Sequence, residues 1–235
     1  MLIMLLGAAL AFLPQLWVKN TYNTYRQVGA STGMTGAEFA RRMLSESHIY
    51  DVVVEETPGE LSDHYDPSVK AVRLSPDNYH QPSVASVTIA AHEVGHAIQH
   101  QEGYLPVVWR SALVPAVNLG SRLGPILIML GLGMGVMNEA TSDPSVGLLL
   151  AWVGVFAFSL AALFHLVTLP VELDASRRAL TALREGHYMT DEEQQGAKKI
   201  LTAAAFTYVA TALYSLIQVL YWVMRILGSR ERRAY

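Results

Sequence analysis

Apolar residues in this chain are gathered into long runs separated by mixed stretches. Residues 1–18 are almost free of polar groups. Residues 123–137 form a short, glycine-rich run that extends backwards past Arg122 if that long side chain snorkels. Residues 146–169 hold His165 as their one strongly polar member, and a last run covers about residues 203–223. Runs near 20 residues match a hydrocarbon core about 30 Å thick. The pattern predicts about four transmembrane helices, at residues 1–18, 119–138, 146–169 and 201–227. For the second of these, a buried helix of a soluble protein is the open alternative. The first run has no basic residue before it and no small-x-small cleavage site at its end, which reads as a retained anchor rather than a removed signal.

Between the runs the pattern changes. Residues 19–118 are mixed and polar, the mark of a small α+β region outside the bilayer. Thr35 and Glu38 are spaced as a capping box ahead of an amphipathic helix reaching about Ser45. Residues 51–55 and 69–74 read as strands, with the turn signal Pro58-Gly59 between them. A further helix starts at Ser83 and stops near Gly103, and residues 170–200 hold two more, over 172–183 and from a Thr190/Glu193 cap into the last span. The fold class expected is a mainly α membrane protein carrying a small cytoplasmic α+β domain.

Charge orients this arrangement. Lys19, Arg26, Arg41 and Arg42 follow the first span, whereas residues 138–145 contain Glu139 and Asp143 but no Lys or Arg. Residues 171–200 again carry Arg177, Arg178, Arg184, Lys198 and Lys199. The positive-inside tendency puts both basic segments in the cytoplasm and residues 138–145 outside. The tail, with Arg225, Arg230, Arg232 and Arg233, violates the pattern unless the last apolar segment packs without crossing. A net charge of −3, with no basic patch beyond the membrane flanks, gives no sign of nucleic-acid binding. Cysteine is absent, so there is no disulfide framework, and any zinc site must use His and carboxylate.

Such a site is visible. His92-Glu93-Val94-Gly95-His96 is an H-E-x-x-H run, and residues four apart on a helix share one face, where two imidazoles can grip one metal ion. Glu93 sits about 100° further round, where its carboxylate reaches a water on the metal rather than the metal itself. Such runs also occur by chance on exposed helix faces. Here Val87, Ile89, Ala90, Ala91, Val94, Ala97 and Ile98 make the helix apolar nearly all round, and a buried His, Glu and His need a partner such as a metal. Catalytic zinc usually keeps three protein ligands and one open position. His100 would lie in a row with His92 and His96, a poor match to a tetrahedron. Glu172, at the mouth of the third span, returns to the side of the H-E-x-x-H helix and completes a His, His, Glu set. Alternatively, Glu172 and Asp174 are surface acids at a helix start, favoured by its dipole.

Taken together, the segments at residues 62–67, 72–75, 92–99, 169–172 and 174–176 resemble the bacterial YugP-type neutral zinc metallopeptidases over nearly the whole chain. The chain is similar, more distantly, to the HtpX/Ste24-class gluzincins. The resemblance implies a multi-pass protein of the bacterial inner membrane with one zinc ion per chain, His92 and His96 as zinc ligands and Glu93 as the catalytic acid/base. Those distant relatives also suggest Asp174 as a support for the ligands. Asp174, however, follows Glu172 by two residues rather than the four of their pattern.

The chemistry expected is peptide-bond hydrolysis by a zinc-activated water with Glu93 as general base. His64, Tyr65, His187 and Arg177, in that order, are candidates for stabilising the oxyanion. His64 and Tyr65 could equally close a turn before Pro67, and Arg177 could simply pair with Asp174. His165, seven residues before Glu172, approaches the site only if its helix continues through Pro170. The strand at residues 69–74, with Val72 and Arg73, is the expected edge for an extended peptide, or else an ordinary half-buried strand. The partners expected are the bilayer and a peptide or membrane-protein substrate, with no nucleic acid. The rival class is a non-catalytic zinc-containing membrane scaffold, in which Glu93 would have no purpose.

Overall fold

The computed structural model describes residues 2–137 and 144–231, so most of the loop read at residues 138–145, together with Arg232 and Arg233, lies outside the described residues. Its elements are α1 (Leu2–Tyr25), α2 (Gly36–Glu46), β1 (Val53–Glu56), β2 (His64–Asp66), β3 (Ala71–Leu74), α3 (Pro76–His80), α4 (Val84–Gln101), α5 (Leu105–Met137), α6 (Pro144–Glu185) and α7 (Asp191–Glu231). The chain divides into two units, one formed by Met1–Val107 with Leu169–Tyr208 and the other by Val108–Thr168 with Val209–Tyr235.

The first unit is built around α4. Phe39 and Met43 of α2, Val72 and Leu74 of β3, Val87 and Val94 of α4, and Leu183 of α6 share one buried cluster. Local sequence explains how the pieces are set. Thr35 accepts from the Glu38 amide while the Glu38 carboxylate accepts from the Thr35 amide, the capping box its spacing implies. Ser83 caps α4 by accepting from the Ser86 amide at 3.1 Å. The segment before that cap is tied to the α1–α2 connection by Ala30 N–H to Pro82 O (2.9 Å) and Val84 N–H to Val28 O (2.8 Å), so the start of α4 is held on both sides. Thr190 and Glu193 cap α7 reciprocally, and the same Glu193 carboxylate accepts from the Ser31 amide and hydroxyl, both at 2.6 Å.

The sheet runs β1-β3-β2, with β3 parallel to β1 and antiparallel to β2. This corrects the expectation of a free edge at residues 69–74. Val72 is fully buried and paired with Val54 on one side and Tyr65 on the other, so its backbone is committed to the sheet. Arg73 is committed too, donating to Glu55 of β1 at 2.7 Å and to Asp66 of β2 at 2.9 Å. The strand that sequence pattern did not disclose is β2, whose three residues are too few to show alternation.

In the second unit, α5 and α6 approach through small residues. A Cβ on Gly154 would lie 2.7 Å from the Gly124 carbonyl oxygen, which explains why the second apolar run is rich in glycine. Large apolar side chains such as Leu119, Met129, Leu149 and Phe156 point outwards, as a lipid-facing surface requires. Among the described residues three helices are long and apolar enough to cross a membrane: Leu105–Met134, Val146–Glu185 and Asp191–Gly228. The remaining expected span, residues 1–18, is helical within α1 but is not among these three. Pro170 does not end α6, which passes through it without interruption into the segment bearing Glu172.

Candidate metal centre

Two helical segments of the first unit, α4 and the part of α6 from Leu169 on, supply the site. On α4, His92 and His96 stand one turn apart with ring centroids 4.8 Å from each other, and Glu93 lies beside them in the buried part of the helix. On α6, Glu172 reaches back so that one of its oxygens is 3.4 Å from Nε2 of each histidine. Gly95 permits this approach, because a Cβ there would lie 2.8 Å from the Ala175 carbonyl oxygen. A glycine inside the H-E-x-x-H run is thus what brings the α6 backbone within reach of the α4 ligands.

The donor set fits zinc. The ligand atoms of His92, His96 and Glu172 lie within 4.8 Å of one another. Bonds of about 2.0–2.1 Å at tetrahedral angles place ligand atoms roughly 3.3 Å apart. The two His–Glu separations, 3.4 Å each, are close to that figure. Among the described residues this group holds three His, Asp or Glu ligands. A three-ligand set leaves room for water, the pattern of catalytic rather than structural zinc. His100, rejected as a ligand on spacing, is exposed, and its Nδ1 lies 2.8 Å from the Tyr65 hydroxyl.

Electrostatics bear on Glu93, the candidate acid/base group. Burial pushes the Glu93 carboxyl above the ordinary carboxylate range. His92 and His96 pull it down, while Asp63 and Glu172 add to the rise. A carboxylate held above its usual range accepts a proton more readily near neutrality, as a general base should.

The partners of the histidines come from residues to which sequence assigned no role. Gln99 Oε1 lies 3.0 Å from His96 Nδ1, and the Ser176 hydroxyl lies 3.2 Å from His92 Nδ1. Each follows a ligand by one helical turn, Gln99 three residues after His96 and Ser176 four after Glu172, and that spacing was the available signal. Asp174 meets no histidine directly: it accepts from Gln99 at 2.9 Å, from Arg178 at 2.6 Å and from Arg177.

The oxyanion candidates are dispersed. His64 is exposed on β2 with Nδ1 2.8 Å from the Ser62 carbonyl, and Tyr65 is engaged with His100. Arg177 pairs with Asp174, as the simpler expectation had it, and His187 sits exposed with positive φ (53°) in the turn after α6. His165 belongs to the second unit.

Over residues 1–227 the chain matches a protein family described as "Putative neutral zinc metallopeptidase". It is 43% identical over 222 residues to the "Putative membrane protease YugP" of Bacillus subtilis (strain 168), a match covering 94% of each chain. No solved structure matches it.

Proposed function

Since the chain belongs to this family of neutral zinc metallopeptidases, we propose that it hydrolyses peptide bonds of membrane-associated proteins at a single zinc ion held by His92, His96 and Glu172. The observation that carries this reading is the convergence of two imidazole Nε2 atoms and one carboxylate oxygen beside the buried Glu93.

Zinc in such a site supplies Lewis-acid polarisation of the scissile carbonyl and a water acidified toward neutrality. Glu93, beside those residues, would take a proton from the water whose oxygen attacks the carbonyl carbon. It then returns the proton to the amine as the C–N bond breaks, so the carboxylate is regenerated. His92, His96 and Glu172 stay deprotonated at their ligand atoms throughout. A non-catalytic scaffold with a structural zinc is not favoured, because such sites are closed by a fourth protein ligand and give a buried glutamate beside the metal nothing to do.

The substrate edge is β2 rather than β3. β2 closes one side of the sheet, and Tyr65 links it to α4 through His100. An extended peptide added there would gain backbone hydrogen bonds with little sequence preference. The charge bias of residues 171–200 supports a cytoplasmic active site, and the similarity to a Bacillus protein named as a membrane protease supports a membrane setting. The test is cleavage of an unstructured, membrane-tethered peptide by the purified protein. Cleavage should stop on zinc chelation and return on zinc addition; cleavage that survives complete metal removal would contradict the proposal.

A further inference from the structure

We propose that Gln99 is a positioning residue that presets His96 for metal, holding its proton on Nδ1 and its lone pair on Nε2. The inference rests on the metal centre proposed above and adds to it a determinant of zinc affinity.

Gln99 is fully buried, and its amide has two N–H donors and one acceptor oxygen. The nitrogen gives to the Val171 carbonyl at 2.8 Å and to the Asp174 carboxylate at 2.9 Å. Both partners accept only, and Asp174 is kept a carboxylate by Arg177 and Arg178 on its other side. Turning the amide over would face its oxygen toward two acceptors and leave its two buried donors only His96 Nδ1 to share, so buried polar groups would go unpaired at a cost of roughly 1–3 kcal/mol each. The orientation of the amide is therefore dictated by chemistry. Its oxygen is left 3.0 Å from His96 Nδ1, and because that oxygen can only accept, Nδ1 must carry the hydrogen. Nε2 then carries the lone pair, on the side where the Glu172 oxygen lies 3.4 Å away.

Asp174 consequently acts on the metal centre at one remove, by polarising an amide that in turn makes the imidazole a better ligand. His92 is treated differently. The Ser176 hydroxyl beside its Nδ1 can donate or accept and imposes no tautomer.

The experiment measures zinc dissociation constants by chelator competition on parent, Gln99→Met, and Gln99→Glu combined with Asp174→Asn, with circular dichroism as the check on folding. Methionine keeps the length and packing of Gln99 but cannot accept from His96. Zinc binding should weaken about 10- to 100-fold in that variant. The double variant places a carboxylate against His96 Nδ1 and an amide donor at position 174, and it should recover most of the lost affinity. It also serves as the test if Gln99→Met does not fold. A folded Gln99→Met that binds zinc as tightly as the parent, or a folded double variant that binds no better than about a hundredth as well as the parent, overturns the assignment. Those failures would leave the metal centre intact as long as parent zinc binding is abolished by His92→Ala. Parent binding indifferent to His92→Ala would overturn both.

Discussion

Glu93 is the side chain whose environment and proposed task are most closely linked. Burial disfavours its charged form, so its carboxyl protonates at higher pH than an exposed glutamate. Hydrolysis needs the ionised form. Activity should therefore fall with decreasing pH as Glu93 protonates, with the charge of bound zinc opposing burial in setting where that limb lies, and a kcat/KM profile measures it. A profile without an acid limb would separate Glu93 from the general-base role. At this scale the site was largely legible from sequence. The i, i+4 histidines lay in an apolar helix that had to be buried, and Glu172 lay among apolar residues that demanded a partner. Gln99 and Ser176 carried only the weak signal of standing one turn from a candidate ligand, and a glutamine or serine there reads as surface until the facing helix is known.

At the scale of elements, the approach of α4 and α6 is the feature on which the ligand set depends. Gly95→Val would drive a branched side chain into the Ala175 backbone, a clash with no flexible group to yield. Strain of about 1–3 kcal/mol is expected from such overpacking. The helices should part enough to pull Glu172 from the histidines, so zinc titration should show weakened binding with most helical signal retained. Full-affinity zinc binding by Gly95→Val would show that the contact does not govern the site. The sheet gives a second expectation. Val72→Pro removes a donor from the middle strand and should destabilise the whole first unit, seen as early melting, rather than selectively slow cleavage. N-methylating the backbone of a peptide substrate near its scissile bond should slow cleavage if β2 supplies the docking edge; equal rates would remove that role. The helix caps at Thr35, Ser83 and Thr190 were readable because capping is local chemistry. Strand order was not, since neither β1 nor β3 carries in its own residues any record of which strand lies between the others.

For the molecule as a whole, the open expectation is topology. The polar first unit and the Glu172 segment must share one side of the membrane for the ligands to meet, and charge bias puts that side in the cytoplasm. The chain has no cysteine, so single cysteines can be introduced and labelled without background. Ser62→Cys and Thr181→Cys should be protected from an impermeant external reagent, and Ser142→Cys should react. Strong external labelling at residues 62 or 181 with none at 142 would reverse the orientation. Long apolar runs made three of the helices plain.

The central claim, a zinc-dependent hydrolase with Glu93 acting on water rather than on metal, is tested most directly by measuring zinc content and peptide cleavage together in four variants. His92→Ala, His96→Ala and Glu172→Ala each remove one of three proposed ligands and should lose zinc and activity together. Glu93→Gln keeps nearly the same shape and should hold zinc as the parent does, while hydrolysis falls by about 100-fold or more, the usual scale of lost general-base catalysis. Normal cleavage by Glu93→Gln, or parental zinc retention by Glu172→Ala, would contradict the account.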